Sequence, residues 1–173
     1  MKPIQYTSLF LLAIVALTAC SRKKDTFLNK KFPAVSTEYN TLFNGNNAFI
    51  QGKEAIAQTY RDDFYQILPV ERIEVVDLDG FDTDSKDPNF NRAEEKAVKA
   101  IQKHSMYISG KEYNPQIDEA YMLLGKARYY DNRFIPALDA FNFILNKSAT
   151  SNNVNNAKIW KAKTNIRLNN EDY

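Results

Sequence analysis

The stretch from residue 115 to residue 145, PQIDEAYMLLGKARYYDNRFIPALDAFNFIL, limits the fold of this chain more than any other feature. Its large apolar side chains recur at the spacing that places them on one face of an α-helix, first on one helix and then on a second. Two small residues, Gly125 and Ala137, lie among them, where a partner helix could approach closely. The stretch therefore predicts two helices packed as a hairpin.

The order of residue types in this hairpin matches the tetratricopeptide pattern, in which an aromatic residue and a Leu-Gly pair precede small and aromatic residues on a second helix. The positions that would pack the repeat are Tyr121, Leu124, Gly125, Ala137, Phe141 and Ile144. A second match is expected 39 residues further on, where Trp160 takes the place of Tyr121. We therefore predict an all-α, tetratricopeptide-like α-solenoid of helix hairpins over residues 91–173, with its last repeat truncated.

The second match has an alternative alignment. The shift of 39 residues is favoured by its aromatic matches and places Tyr173 on Phe134, whereas a shift of 38 would turn Ile159, Ala162 and Ile166 inward. The closing stretch AKIWKAKTNIRLNNEDY is then the first helix of a repeat whose second helix does not follow. We expect its apolar side to be poorly covered, and the chain to be cut from a longer array.

The beginning of the chain predicts a lipoprotein signal peptide over residues 1–19. Its apolar run, residues 9–17, is too short to span a bilayer, which takes ~20 residues in a helix. The following LTAC resembles a bacterial lipobox, so Cys20, the only cysteine, is the predicted lipidation site; an ordinary signal peptide with a chance cysteine is the alternative. Residues 20–35 read as a tether, and Ser21 permits delivery to the outer membrane, facing the periplasm.

Between the tether and the repeats, the pattern predicts a helical hairpin over residues 36–67, with Gly52 as the break between its helices. Residues 68–90 hold proline, glycine and five aspartates, which predicts a long acidic loop. Clustered carboxylates suit calcium, but Gly80 cannot take the sixth position of an EF-hand, and a solvated loop is favoured. The aspartates are Asp77, Asp79, Asp82, Asp84 and Asp87.

Several functions are disfavoured by composition. A formal net charge of +2 is too balanced for the field of a nucleic-acid binder. The only histidine, His104, ends a predicted helix, where it would interact with the helix dipole. No catalytic constellation, phosphate-binding loop or metal-ligand spacing occurs in the sequence, so we expect no enzyme, no cofactor, no metal and no small-molecule substrate.

Four blocks in this order resemble the amino-terminal part of the SprE (PorW) family of lipoproteins of the Bacteroidota: YNTLFNGNNAF, DDFYQILPVE, IDEAYMLLGKARYYDNRFIPALDAFNFIL and AKIWKAKTNIRLNN. That family comprises tetratricopeptide lipoproteins of the outer membrane that serve type IX protein secretion and gliding motility. The resemblance implies a non-enzymatic scaffold whose partners belong to the secretion translocon and the periplasmic ring and motor. Family members are much longer than this chain.

The first helix of each repeat lines a groove in a solenoid of this kind, and its side chains would meet a partner. The residues predicted to do so are Met122, Lys126, Tyr129, Tyr130, Lys161 and Asn165. Aromatic and basic groups together suit an extended peptide or helix that carries acidic residues. The alternative is that Met122 and the tyrosines are core or unoccupied surface. Lys161 and Asn165 also have the spacing of a carboxylate clamp, which is a weak signal.

Two other classes of lipoprotein share an anchor and repeat helices. A repeat lipoprotein of outer-membrane β-barrel assembly would begin its repeats soon after the cysteine, without the YNTLFNG block or the acidic loop. A glycan-binding lipoprotein of the SusD type would carry loop insertions with exposed tryptophans, but this chain has one tryptophan, inside a predicted helix. Both are less favoured than the secretion scaffold.

Overall fold

The computed structural model describes residues 41–69, 71–73, 87–147 and 152–168. This part of the chain is mainly helical, as predicted. Its helices are α1 (Phe43–Thr59), α2 (Pro88–His104), α3 (Gln116–Tyr130), α4 (Phe134–Lys147) and α5 (Val154–Arg167). Two short strands, β1 (Tyr107–Ile108) and β2 (Lys111–Glu112), pair antiparallel between α2 and α3. The predicted signal peptide, Cys20 and the tether lie outside the described residues.

Each helix packs against the next along the chain, and α3 also touches α1 and α5. The first helices of successive hairpins therefore adjoin on one side of the stack. A chain of aromatic contacts follows this side: the rings of Phe49 and Tyr130 lie 5.3 Å apart, those of Phe90 and Tyr130 lie 5.7 Å apart, and those of Tyr130 and Trp160 lie 6.1 Å apart. Aromatic pairs at these distances stabilise a core beyond the area they bury.

The structure corrects the predicted hairpin over residues 36–67. A single helix, α1, runs through Gly52 and ends at Thr59, and residues 60–67 are not helical. Gly52 is buried, and a Cβ atom there would lie 2.7 Å from Cε1 of Phe90 in α2. Glycine costs about 1 kcal/mol relative to alanine inside a helix. Here it allows α2 to approach α1, so it marks a helix contact and does not end a helix.

Helix α2 begins three residues earlier than the predicted start of the repeats at residue 91. Asp87 caps it, because its carboxylate accepts hydrogen bonds from the backbone N–H groups of Asn89 (2.7 Å) and Phe90 (3.2 Å). Pro88 occupies the first helical position, where its fixed φ is already helical. Most of the predicted acidic loop, including Asp77, Asp79, Asp82 and Asp84, lies outside the described residues.

The strand pair between α2 and α3 was not predicted. Ser109 and Gly110 turn the chain at positive φ, 50° and 83°. The carboxylate of Glu112 accepts hydrogen bonds from the backbone N–H groups of Met106 and Asn114, both at 2.8 Å. Asn114 in turn donates to the carbonyl of His104 (2.9 Å), which lies in the last turn of α2 as predicted. These contacts set how α3 leaves α2.

An ion-pair network joins α2 to the turn between α3 and α4. Glu94 pairs with Arg128 (2.8 Å) and with Arg133, and Arg133 also donates to Asp131 (3.0 Å). The backbone N–H of Asp87 donates to Asp131 (3.0 Å), so the network reaches the cap of α2. Burial opposes the charged form of Glu94, but the hydrogen bonds from Arg133 and Arg128 outweigh it and lower the pKa of this carboxyl.

Candidate partner-binding surface

The residues predicted to pack the repeat lie between α3 and α4. Leu124, Ala137 and Phe141 are buried, and a Cβ atom added to Gly125 would lie 2.4 Å from Cε1 of Phe141. Tyr121 is partly buried and stacks on Phe143 of α4, with ring centroids 3.7 Å apart. The close approach of α3 and α4 thus depends on the glycine and alanine that the sequence singled out.

Trp160 faces a different way from Tyr121, which corrects their alignment. Its ring lies 5.3 Å from that of Tyr129 and 6.2 Å from that of Phe141, so it packs back onto the preceding hairpin. The outward face of α5 carries Ile159 and Ile166, which are 53% and 54% exposed. Tyr121 instead faces forward onto α4, and the alternative shift of 38 residues, which places Ile159 at its position, fits these faces better.

Three lysines from three helices gather around two aromatic rings. Lys53 Nζ of α1 lies 5.4 Å from the centroid of Tyr130, and Lys126 Nζ of α3 and Lys163 Nζ of α5 lie 5.5 and 4.8 Å from that of Trp160. We call these five residues the lysine–aromatic cluster. Each lysine is placed for a cation–π contact, and the rings bridge α3 and α5 on the side where the first helices adjoin.

The cluster is electrostatically poised for an anion. Burial lowers the pKa of Lys126, Glu119 opposes that shift, and the like charges of Lys53 and Lys163 add to it. The lysines therefore repel one another, and a carboxylate placed among them would relieve that repulsion. Burial raises the pKa of Tyr130, and nearby Glu71 raises it further, so the ring stays neutral.

One acidic side chain already reaches this surface. The carboxylate of Glu71 pairs with Lys163 of α5, and its backbone carbonyl accepts a hydrogen bond from Arg167 Nη2 (2.7 Å). Arg167 also donates through Nε to the hydroxyl of Tyr129 (3.2 Å). Two residues later, Ile73 is only 3% exposed and belongs to the hydrophobic core. Residues 71–73, which we call the 71–73 segment, thus lie against α3 and α5.

Of the six residues predicted to line the groove, Lys126 and Tyr130 belong to the cluster. Met122 and Tyr129 are buried, because their side chains fill the space around α3; this is the alternative that the sequence left open. Asn165 is also buried, so it cannot clamp a carboxylate beside Lys161 in this conformation. Lys161 is partly exposed, and its contact with a partner stays a prediction.

Three basic residues of this surface were missed by sequence reasoning. Lys53 could not be found because the predicted break at Gly52 separated it from the first helix. Lys163 and Arg167 are four residues apart and share one face of α5, which was a usable signal. The favoured alignment obscured it by assigning Lys163 to the buried position of Leu124.

Within the described ranges, no group of three or more histidine, cysteine, aspartate and glutamate residues could hold a metal ion. None of the helices in the same ranges is long and apolar enough to cross a membrane. No protein-family model matches the chain, and no curated protein matches it.

Proposed function

We propose that this protein is a non-enzymatic scaffold, a lipid-anchored outer-membrane protein of the type IX secretion and gliding-motility machinery of the Bacteroidota. It binds partner proteins in the periplasm through a stack of tetratricopeptide-like hairpins. The partners are components of the secretion translocon and of the periplasmic ring and motor. The observation that carries this proposal is the lysine–aromatic cluster.

The cluster supports protein binding because its members come from α1, α3 and α5, which are first helices of successive hairpins. Only a ligand that extends across several hairpins would meet all three lysines, which favours a polypeptide over a small molecule. Aromatic rings with flanking cations offer contact area and charge to an acidic chain.

The cellular place rests on the sequence. The short apolar run before LTAC and the lone Cys20 support a lipid anchor, and several acyl chains hold a protein at a membrane durably. The resemblance of the YNTLFNGNNAF, DDFYQILPVE and repeat blocks supports the secretion machinery as the process.

Crosslinking in the native envelope tests the proposal. Full-length protein carrying Lys53→Glu with Lys126→Glu reverses two charges of the cluster without touching the core, since the Lys53 side chain is exposed and that of Lys126 is partly exposed. The matched control is Lys99→Glu with Lys103→Glu, two exposed lysines of α2 outside the cluster. Mass spectrometry of the wild-type crosslinks should identify secretion components, which the cluster variant loses and the control keeps. Equal crosslinks from both variants would contradict the proposal.

A further inference from the structure

The 71–73 segment is bound to the cluster side of the stack in the manner of a ligand. Glu71 contributes a carboxylate to Lys163 and a backbone carbonyl to Arg167. Its carbonyl also accepts from the N–H of Ile73 (2.8 Å), a tight turn that brings the aliphatic side chain into the core. The intervening Arg72 points away, 68% exposed, and pairs with Asp62 (2.7 Å). The segment thus presents a charge and an apolar side chain to the surface, and its middle residue to solvent.

These contacts describe what the surface recognises. Lys163 and Arg167, four residues apart on α5, hold the carboxylate and the backbone of one residue. The burial of Ile73 shows that there is room for an aliphatic side chain two residues further on. Lys53 and Lys126 lie beside this point around the same two rings, and neither is seen to pair with Glu71. A longer acidic segment could engage both.

We propose that the 71–73 segment is an internal ligand of the lysine–aromatic cluster, and that a partner protein displaces it. The displacing segment carries a carboxylate followed two residues later by an aliphatic side chain. This inference rests on the proposed function only in assigning the surface to a protein partner. It adds the chemistry of that partner and a competitor built into the chain.

An internal ligand has a predictable effect on affinity. A tethered segment acts at an effective concentration of ~1 mM, which a free partner must overcome. The apparent affinity of the partner falls by the fraction of molecules whose surface is open. The contacts of Glu71 are only partly buried, since the Lys163 side chain is 28% exposed, so displacement does not require unfolding of a helix.

Trp160 provides a direct readout, because it is the only tryptophan in the chain and lies within the cluster. The probe is the peptide acetyl-LPVERI-amide, which copies residues 68–73, titrated into the full chain at low salt. The opened variant carries Glu71→Ala with Ile73→Ala, and the control carries Asp62→Ala, which breaks only the pair with Arg72. The opened variant should bind the peptide at least about 10-fold more tightly than wild type. The control should bind like wild type.

Peptide specificity is tested with acetyl-LPVQRS-amide, which lacks the carboxylate and the aliphatic side chain and should bind the opened variant about 10-fold more weakly. Equal affinities of the opened variant and wild type for the first peptide, or no binding to either, would overturn the inference. If circular dichroism shows that the opened variant has lost helix, the variant Glu71→Gln replaces it, because it keeps Ile73 in the core. It should still bind about 3-fold more tightly than wild type, and unchanged affinity would refute the internal ligand.

The two proposals can fail separately. Crosslinks that depend on Lys53 and Lys126, together with peptide binding that ignores Glu71, would leave the scaffold standing and remove the internal ligand. Peptide binding governed by Glu71, together with envelope crosslinks only to proteins outside secretion, would do the reverse.

Discussion

At the scale of single residues, three helical glycines lie against side chains of a neighbouring helix. A Cβ atom at Gly45, Gly52 or Gly125 would lie 2.7, 2.7 or 2.4 Å from the nearest side-chain atom. At Gly45 that atom is the flexible end of Leu123, whereas at Gly125 it belongs to the buried ring of Phe141. The same substitution should therefore have different costs at different glycines.

We expect Gly125→Ala to lower the free energy of unfolding by about 2 kcal/mol, because overpacking against a fixed ring outweighs the better helix propensity of alanine. Urea unfolding followed by circular dichroism measures this. Gly45→Ala should lose less, and Phe141→Leu in the Gly125→Ala background should recover part of the loss. A neutral or stabilising Gly125→Ala would show that α3 and α4 do not meet as described.

Glu94 predicts how stability depends on pH. Its pKa is lower in the folded chain than its ordinary value of 4.5, so the stabilisation it contributes is present above that value. It is lost as the pH falls through the lower folded pKa. At neutral pH, Glu94→Gln should cost about 1–3 kcal/mol. The gap between wild type and variant in urea midpoint should close between pH 5 and pH 2. Glu95→Gln, at an exposed neighbouring position, is the control, and a constant gap for Glu94→Gln would contradict the ion-pair network.

At the scale of elements, α3 and α5 differ in how they are covered. Helix α3 packs between α2 and α4 and also touches α1 and α5, and most of its side chains are buried. Helix α5 packs mainly against α4 and buries only Ala157, Thr164 and Asn165. Ile159 and Ile166 lie on its open face, as the truncated repeat led us to expect.

Amide hydrogen exchange should therefore be fastest in α5 and slowest in α3 among the described helices, because local opening exposes less apolar surface at α5. Exchange of the full chain at neutral pH, resolved by peptide mass spectrometry, measures this. Equal protection of the two helices would mean that the open face of α5 is covered in solution.

At the scale of the whole molecule, location depends on Cys20, which lies outside the described residues. Cys20→Ser removes the thiol that would receive the lipid, so the precursor should stay unprocessed or become soluble, and should not incorporate a labelled fatty acid. Fractionation of cells that express the full chain measures both. Mature protein retained at the membrane by this variant would contradict the lipid anchor.

Much of the helical content could be predicted from local pattern. The repeat of apolar residues between 115 and 145 indicated α3 and α4, and Asp87-Pro88 marked the end of the loop before α2. The groove was harder: Lys126 and Tyr130 were placed on the binding surface, but Tyr129 is buried and Lys53 was missed. Helical periodicity defines the faces of a helix, but not which face a distant helix will cover.

The amino-acid sequence alone determined that this chain forms helices, where most of them begin and end, and which small residues permit close contact. These properties depend on neighbours within a few turns of the same helix. Only the tertiary structure decided that α1 continues through Gly52, that Trp160 faces backward, and that Glu71 reaches Lys163. Each of these depends on residues far apart in the chain, whose contact is settled by packing and charge together.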